Sequence, residues 1–208
     1  MSVVGSIDVE CPSCVRVTKC ELVQSINSQT HPQVKAKLLA GELNLLVCEC
    51  GRKTQLSATL LFHDPEKSFY CQVVPVGDKA MEKAGSLMKA AGAMGTRRLV
   101  PSPNAMIEKV KIVDAGLEDW AVEMAKVLLI ASLGSGADLD QVMLFDHVDG
   151  DKLQWVVFDG SVPEPAVSAK AAYDRLVARE ASRPAPDEMR IDRAWAVDAV
   201  QQLIADGN

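Results

Sequence analysis

The chain has 208 residues, of which 48% are hydrophobic and 24% are charged, so it is long enough to bury a core in one or two domains. Its formal net charge of −6 argues against a generic phosphate-binding surface, because non-specific nucleic-acid binding needs a surplus of lysine and arginine. A nucleic-acid partner is therefore not expected.

The chain begins with the pattern of a β-hairpin whose loop carries two cysteines. Val3–Val9 is rich in β-branched residues and predicts a short strand that ends at the motif Cys11-Pro-Ser-Cys14. The proline favours a tight turn there, and the apolar residues of Val15–Val23 predict the returning strand. Cys11–Cys14 is called the first knuckle below.

A helix is predicted after this hairpin. Thr30 is a suitable N-cap, and Pro32 falls in the first turn, where its missing N–H costs nothing. Leu38 and Leu39 continue a helical spacing of apolar residues, and Gly41 ends the helix.

A second cysteine-bearing hairpin is predicted next. Leu43–Val47 alternates apolar and polar residues into Cys48-Glu-Cys50, called the second knuckle below, and Thr54–Phe62 predicts its partner strand. A further strand is predicted over Phe69–Val76. The first 77 residues should therefore be mostly β, with one inserted helix.

We predict that the two knuckles bind one zinc ion through Cys11, Cys14, Cys48 and Cys50, because paired cysteines on two loops complete a tetrahedral thiolate shell. The chain shows no secretion signal and no apolar run that could span a bilayer, so we expect a cytoplasmic protein with reduced thiols and no membrane partner. The second knuckle is one residue tighter than usual, so Cys20 or Cys71 could replace one of the four ligands. A thiol-redox pair at Cys11–Cys14 is less well supported, since redox C-x-x-C motifs begin a helix.

Beyond residue 77, the pattern changes to helices and one further hairpin. The predicted elements are helices over Asp78–Gly95, 105–110, Leu117–Leu133, Val167–Ser182 and Ile191–Ile204, and strands over Arg97–Val100, Val142–Phe145 and Leu153–Phe158. We therefore predict an α+β protein with a zinc-ribbon-like module over residues 1–77 and a helical and hairpin portion over 78–208, packed on the first.

No catalytic constellation is evident in the sequence. The candidate acid–base groups are His31, His63 and His147, with Asp64 and Asp146 beside two of them, and no spacing gives them roles. Hydrolase, metalloprotease and nucleotide-binding motifs are missing. We predict no catalytic residues.

The residues resemble the CpXC protein family over most of the chain. The resemblance runs through Cys11-Pro-Ser-Cys14, Ser25–Asn27, His31–Asn44, Cys48-Glu-Cys50-Gly51, Leu60–Lys67, Arg98–Val100, Ile107–Lys109 and Gly116–Lys126. It implies a zinc ribbon with two knuckles and carries over no catalytic residue. The second knuckle departs from the family pattern, since it lacks a proline and one spacer residue.

These observations favour a non-catalytic, zinc-stabilised interaction or adaptor protein with a protein partner. Residues 115–208 carry seventeen acidic and eight basic residues, and such an acidic surface is either simply solvated, packed against the mildly basic middle of the chain, or bound to a basic partner. Two alternatives stay open: a thiol-redox or zinc-dependent enzyme, and a nucleic-acid-binding regulator. No residue indicates the oligomeric state.

Overall fold

The computed structural model describes residues 3–75, 77–92, 94–132, 141–158, 162–181 and 185–206. The chain divides into two compact units, Met1–Ile107 and Glu108–Asn208. The boundary predicted at residue 77 separates a metal-binding module from the rest of the chain, which is a different question from the division into compact units. It stays a prediction, as does the packing of the C-terminal portion on that module.

The first unit contains most of the strands that surround the cysteines. Its elements are β1 (Val3–Glu10), β2 (Val17–Asn27), α1 (Pro32–Leu39), β3 (Leu45–Val47), β4 (Lys53–Gln55), β5 (Leu60–Asp64), β6 (Phe69–Val73), α2 (Gly77–Ala90), β7 (Thr96–Val100) and the start of α3 (Pro103–Asp114). Five strands form one sheet in the order β1-β2-β5-β6-β7, and β3 pairs with β4 in a small separate sheet.

The β1–β2 hairpin extends beyond the rest of its sheet. All eight residues of β1 pair with β2, in antiparallel register. In contrast, β2 pairs with β5 only at Ser25–Asn27. The knuckle end of this hairpin therefore has no neighbouring strand from β5, and its buried face must be covered by other residues.

The second unit packs helices against a three-stranded antiparallel sheet. Its elements after α3 are α4 (Asp119–Ser132), β8 (Val142–Asp149), β9 (Lys152–Phe158), β10 (Pro163–Ala169), α5 (Lys170–Glu180) and α6 (Arg193–Ala205), with the sheet ordered β10-β9-β8. The apolar second half of α4 belongs to a core that includes Ile130, Phe145 and Trp155. The helix is buried all round only from Asp119 to Val127, a stretch that includes three charged residues, whereas Leu128 in the apolar half is 37% exposed.

The predicted α+β class is confirmed: the described residues form six helices and three sheets. The helix predicted over Val167–Ser182 is wrong at its start, because residues up to Ala169 form β10 and the helix begins at Lys170. β10 escaped prediction since Pro163 and Pro165 do not suit a central strand. They are tolerated here because β10 is an edge strand.

Further boundaries also differ from prediction, and the strand predicted over Thr54–Phe62 is divided between β4 and β5, which belong to separate sheets. The N-cap of the first helix is His31 rather than Thr30. The helix predicted over Asp78–Gly95 ends at Ala90, where Gly92 turns the chain with a φ of +66°. The helix predicted over 105–110 is longer, and the predicted ends at Leu133 and Ser182 lie outside the described residues. No helix among the described residues is both long and apolar enough to cross a membrane.

Candidate metal centre

The first knuckle is a tight turn at the end of the β1–β2 hairpin. The backbone N–H of Cys11 donates to the carbonyl of Arg16 at 2.9 Å, and the N–H of Val15 donates to the carbonyl of Cys11 at 2.9 Å. To close this turn, Val15 takes a φ of +52°, a left-handed conformation that disfavours a β-branched side chain. The first knuckle is thus a turn between strands, whereas redox C-x-x-C motifs begin a helix.

The second knuckle is built in the same way between β3 and β4. The N–H of Cys48 donates to the carbonyl of Arg52 at 2.9 Å, and the N–H of Gly51 donates to the carbonyl of Cys48 at 2.9 Å. Gly51 has a φ of +87°, at the same place after the second cysteine as Val15 in the first knuckle. Glycine adopts this conformation freely.

The structure brings together the four sulfur atoms that the sequence predicts as ligands. The Sγ atoms of Cys11, Cys14, Cys48 and Cys50 all lie within 4.8 Å of one another. Cys11 Sγ is 3.7 Å from Cys50 Sγ, and Cys14 Sγ is 3.5 Å from Cys48 Sγ. The short spacing of the second knuckle therefore does not keep Cys50 out of the cluster.

Neither alternative cysteine belongs to this cluster. Cys20 lies on β2 and donates its thiol to the carbonyl of Thr18 at 3.7 Å. Cys71 is fully buried on β6. All six cysteines are free thiols in the structure.

The cluster is buried on one side and open on the other. Cys11 is 0% exposed and Cys48 is 3% exposed, whereas Cys50 is on the surface. The buried residues beneath the sulfurs form a small apolar cluster of Cys11, Cys20, Leu22, Leu46, Cys48 and Leu56. This cluster covers the part of the hairpin that β5 does not reach, and Leu46 of β3 contributes to it.

The environment of the sulfurs favours a thiolate at Cys11. A backbone hydrogen bond at Ser13 lowers the pKa of Cys11 to about 6 and outweighs the effect of burial. At Cys14, a backbone hydrogen bond at Arg16 lowers the pKa, but the hydrogen bond with Cys48 and burial outweigh it, and the pKa rises to about 12. Four thiols packed this closely therefore do not all ionise by themselves, and a cation would favour their ionised form.

Asn44 positions the second knuckle, a role that no sequence pattern predicted. Its side-chain oxygen accepts from the N–H of Val23 at 2.7 Å, and its side-chain nitrogen donates to the carbonyl of Val23 at 2.9 Å. Asn44 is buried and has a φ of +53°, and its own carbonyl accepts from the N–H of Leu56 at 2.8 Å. The side-chain amide thus joins the β3–β4 hairpin to β2. The sequence signal that could have revealed this residue is the tolerance of asparagine for a positive φ.

The spacing of the four sulfurs is compatible with a tetrahedral metal ion. Zinc–sulfur bonds of about 2.3 Å in a tetrahedral shell place the sulfurs about 3.8 Å apart, close to the 3.5 and 3.7 Å separations across the knuckles. A disulfide would instead need about 2.05 Å. The donor set of four cysteines is also one that zinc prefers.

The three histidines do not contribute to the cluster. His31 Nδ1 lies 2.7 Å from Thr30 Oγ1, and the ring of His63 stacks on Tyr70 with 4.1 Å between centroids. His147 Nδ1 pairs with Asp146 at 2.9 Å. Within the described ranges, the four-cysteine group is the one set of three or more His, Cys, Asp or Glu side chains that could hold a metal ion.

A buried ionic cluster in the second unit also had no predicted role. Its members are at most 6% exposed and comprise Glu108, Lys109, Asp119, Glu123 and Lys126. Lys109 lies 2.9 Å from Asp119 and 3.1 Å from Glu123, while Lys126 lies 2.6 Å from Glu108 and 3.1 Å from Glu123. Because each charge is paired and closed off from solvent, this cluster joins α3 to α4 and offers no surface for a substrate.

Comparison with known proteins identifies one family. A sequence model of the CpXC family, described as CpXC protein, matches residues 9–126, which is more than half of the chain. The match includes both knuckles and the residues of the buried ionic cluster. Comparison with curated proteins and with solved structures finds no match.

Proposed function

The chain belongs to the CpXC protein family, and on that premise we propose that it is a non-catalytic interaction or adaptor protein stabilised by one structural zinc ion. The observation that carries the proposal is the convergence of four cysteine sulfurs within 4.8 Å. Four protein ligands fill a tetrahedral zinc shell. A catalytic zinc site keeps a position open for water or substrate, which this donor set does not provide.

Cys11, Cys14, Cys48 and Cys50 would hold the zinc ion, and the ion would contribute folding free energy rather than reactivity. The β1–β2 and β3–β4 hairpins each supply two of the ligands, and a small apolar cluster lies beneath them. A cross-link between two such hairpins stabilises them where a small core cannot.

Thiol titration with and without a chelator tests this proposal. In the native protein, the four knuckle thiols should resist a thiol reagent, and Cys20 and Cys71 should be slow because both are buried. Chelation should release one zinc per chain and expose the four knuckle thiols. Zinc well below one per chain, or reactive knuckle thiols in the zinc-loaded protein, would contradict the proposal.

The redox alternative gives a different result in the same experiment. A redox pair would show a fast, acidic thiol in the native protein and would cycle between dithiol and disulfide. Cys11 has the lowered pKa that such a thiol needs, but its side chain is fully buried. Protection by metal is the better account of a buried, acidic cysteine among three others.

A further inference from the structure

We infer that the free edge of β1 binds an extended segment of a partner protein, one in which basic residues alternate with β-branched apolar residues. This inference rests on the proposed interaction function and gives that function a binding surface. β1 is the first strand of the sheet order β1-β2-β5-β6-β7. Within the described part of the chain, β1 pairs with β2 alone.

The backbone of β1 offers a regular row of hydrogen-bonding groups on this free side. The N–H of Cys11 donates to the carbonyl of Arg16 on the β2 side, and bonded and non-bonded residues alternate along an antiparallel pair. Val4, Ser6, Asp8 and Glu10 therefore direct their N–H and C=O groups toward the free edge. The register is interrupted only between Val3 and Val4, so the row is regular from Val4 onward.

Three other edge strands, β7, β8 and β10, carry features that block strand addition along their length, whereas the register shift of β1 lies at its first residue. β10 contains Pro163 and Pro165, and β7 carries Arg97 and Arg98. β8 has a register shift next to Phe145. Prolines, basic residues and bulges are the usual ways in which natural proteins protect edge strands, and β1 has no proline, lysine or arginine.

The side chains of β1 are unusually apolar for an exposed edge. Val3 is 50% exposed, Val4 is 53% exposed and Ile7 is 38% exposed. An added strand would cover these side chains with apolar residues of its own, as cross-strand pairs do within a sheet. An added strand would therefore do two things at once. It would bond to the outward backbone groups of β1, and it would cover the exposed apolar side chains.

The charges of β1 specify the polar residues of that strand. The acidic residues Asp8 and Glu10 are its only charged residues. On the opposite side, β2 places Lys19 directly across from Asp8, which shows that a basic residue fits beside this carboxylate. A strand with lysine or arginine at alternate positions would therefore be preferred over an acidic one.

The test uses two synthetic peptides as long as β1, eight residues, with blocked ends. One alternates lysine and valine, and the other alternates glutamate and valine. The zinc-loaded protein should bind the lysine peptide about tenfold more tightly at low salt. In the amide NMR spectrum, the largest shifts should occur at Val4, Ser6 and Asp8.

Ser6→Pro and Ser6→Ala form a matched pair of variants. Proline removes the outward N–H of Ser6 without removing a bond to β2, and an edge strand tolerates it there. Alanine keeps that N–H. Ser6→Pro should weaken binding of the lysine peptide about tenfold or more, Ser6→Ala should bind it like the parent protein, and both should keep their zinc.

The outcomes separate this inference from the proposed function. The protein could hold one zinc per chain and yet bind both peptides equally, or bind neither. Either result would overturn the inferred binding at the β1 edge and leave the zinc site intact. Unchanged binding by Ser6→Pro would also overturn it. So would self-association of the protein that Ser6→Pro abolishes, because the occupant would then be a second copy of the chain.

Discussion

The knuckle end of the first unit and the core of the second unit are stabilised by different means. Beneath the sulfurs, the apolar cluster has six buried residues, two of which are predicted ligands, Cys11 and Cys48. The apolar cluster of the second unit has nineteen buried residues, including two tryptophans. Burial of apolar area is the main favourable term in folding, so we expect the second unit to be stable without metal and the knuckles to depend on it.

Metal removal should separate the two regions most clearly, because it should lower the free energy of unfolding of the knuckles by on the order of 10 kcal/mol. Chelation should abolish amide hydrogen-exchange protection in β1 to β4. The three tryptophans, Trp120, Trp155 and Trp195, all belong to the second unit, so tryptophan fluorescence should stay unchanged. Loss of the fluorescence signal together with the zinc would show that the second unit also depends on the metal.

In the second unit, Lys126→Met should have the next largest effect. The Lys126 ammonium group lies 2.6 Å from Glu108 and 3.1 Å from Glu123, and the variant removes it from both buried carboxylates. Removing one partner of a buried ion pair costs about 3 to 5 kcal/mol. Urea unfolding followed by tryptophan fluorescence measures the change.

A matched double variant checks the cause of that loss. Glu123 keeps its ion pair with Lys109 at 3.1 Å in Lys126→Met, so adding Glu108→Gln removes the carboxylate that lost Lys126 as its partner and should recover part of the stability. The pKa of Glu108 is raised chiefly by burial, so its ionised form is the costly one. A loss below about 1 kcal/mol in Lys126→Met would show that the ionic cluster does not stabilise the α3–α4 contact.

Asn44→Ala should destabilise the first unit by about 2 kcal/mol, because it leaves the N–H and carbonyl of Val23 without their partner. Asn44→Gly is the matched control, since glycine tolerates the φ of +53° but cannot form the bonds. Both variants should bind zinc more weakly in a competition titration with a chromogenic chelator. Native affinity in both would mean that Asn44 does not position the second knuckle.

Val15→Gly should raise stability by about 1 kcal/mol, because it relieves a β-branched residue from a φ of +52°. Gly51→Ala is the opposite change at the equivalent position of the other knuckle, and it should lower stability by a similar amount. Thermal unfolding of the zinc-loaded variants gives both values. Shifts of the same sign would contradict the equivalence of the two turns.

Arg16→Ala should have the smallest effect, below about 1 kcal/mol. Arg16 pairs with Glu49 across the two knuckles, but both side chains are exposed, at 56% and 83%. Zinc affinity should stay within a few-fold of the parent value, as measured by the same chelator competition. A large loss of stability or of zinc affinity would contradict this account, because it would show that the exposed Arg16–Glu49 pair helps to hold the two knuckles together.

The sequence was informative where one local signal sufficed. The four clustered cysteines were predicted from spacing alone, and the α+β class followed from alternating and helical apolar patterns. Long-range information was missing elsewhere. Asn44 acts through Val23, twenty-one residues earlier, and the buried lysines 109 and 126 are balanced by acids on a neighbouring helix, which no local pattern reveals.

The edge position of strands was equally hidden in the sequence. The end of β10, from Val167, was assigned to a helix, and its two prolines suit neither a helix interior nor a central strand. β1 was predicted as a strand, but its free edge became visible only once the strand order was known. Edge position depends on which strands pair, and pairing is a property of the whole sheet.

X-ray absorption at the zinc edge tests the central claim most directly, because it reports the ligands of the metal themselves. We predict a single shell of four sulfur atoms at about 2.3 Å, supplied by Cys11, Cys14, Cys48 and Cys50. Cys50→Ser should replace one sulfur with a lighter ligand. A native shell with fewer than four sulfurs, or one that Cys50→Ser leaves unchanged, would contradict a closed four-cysteine site.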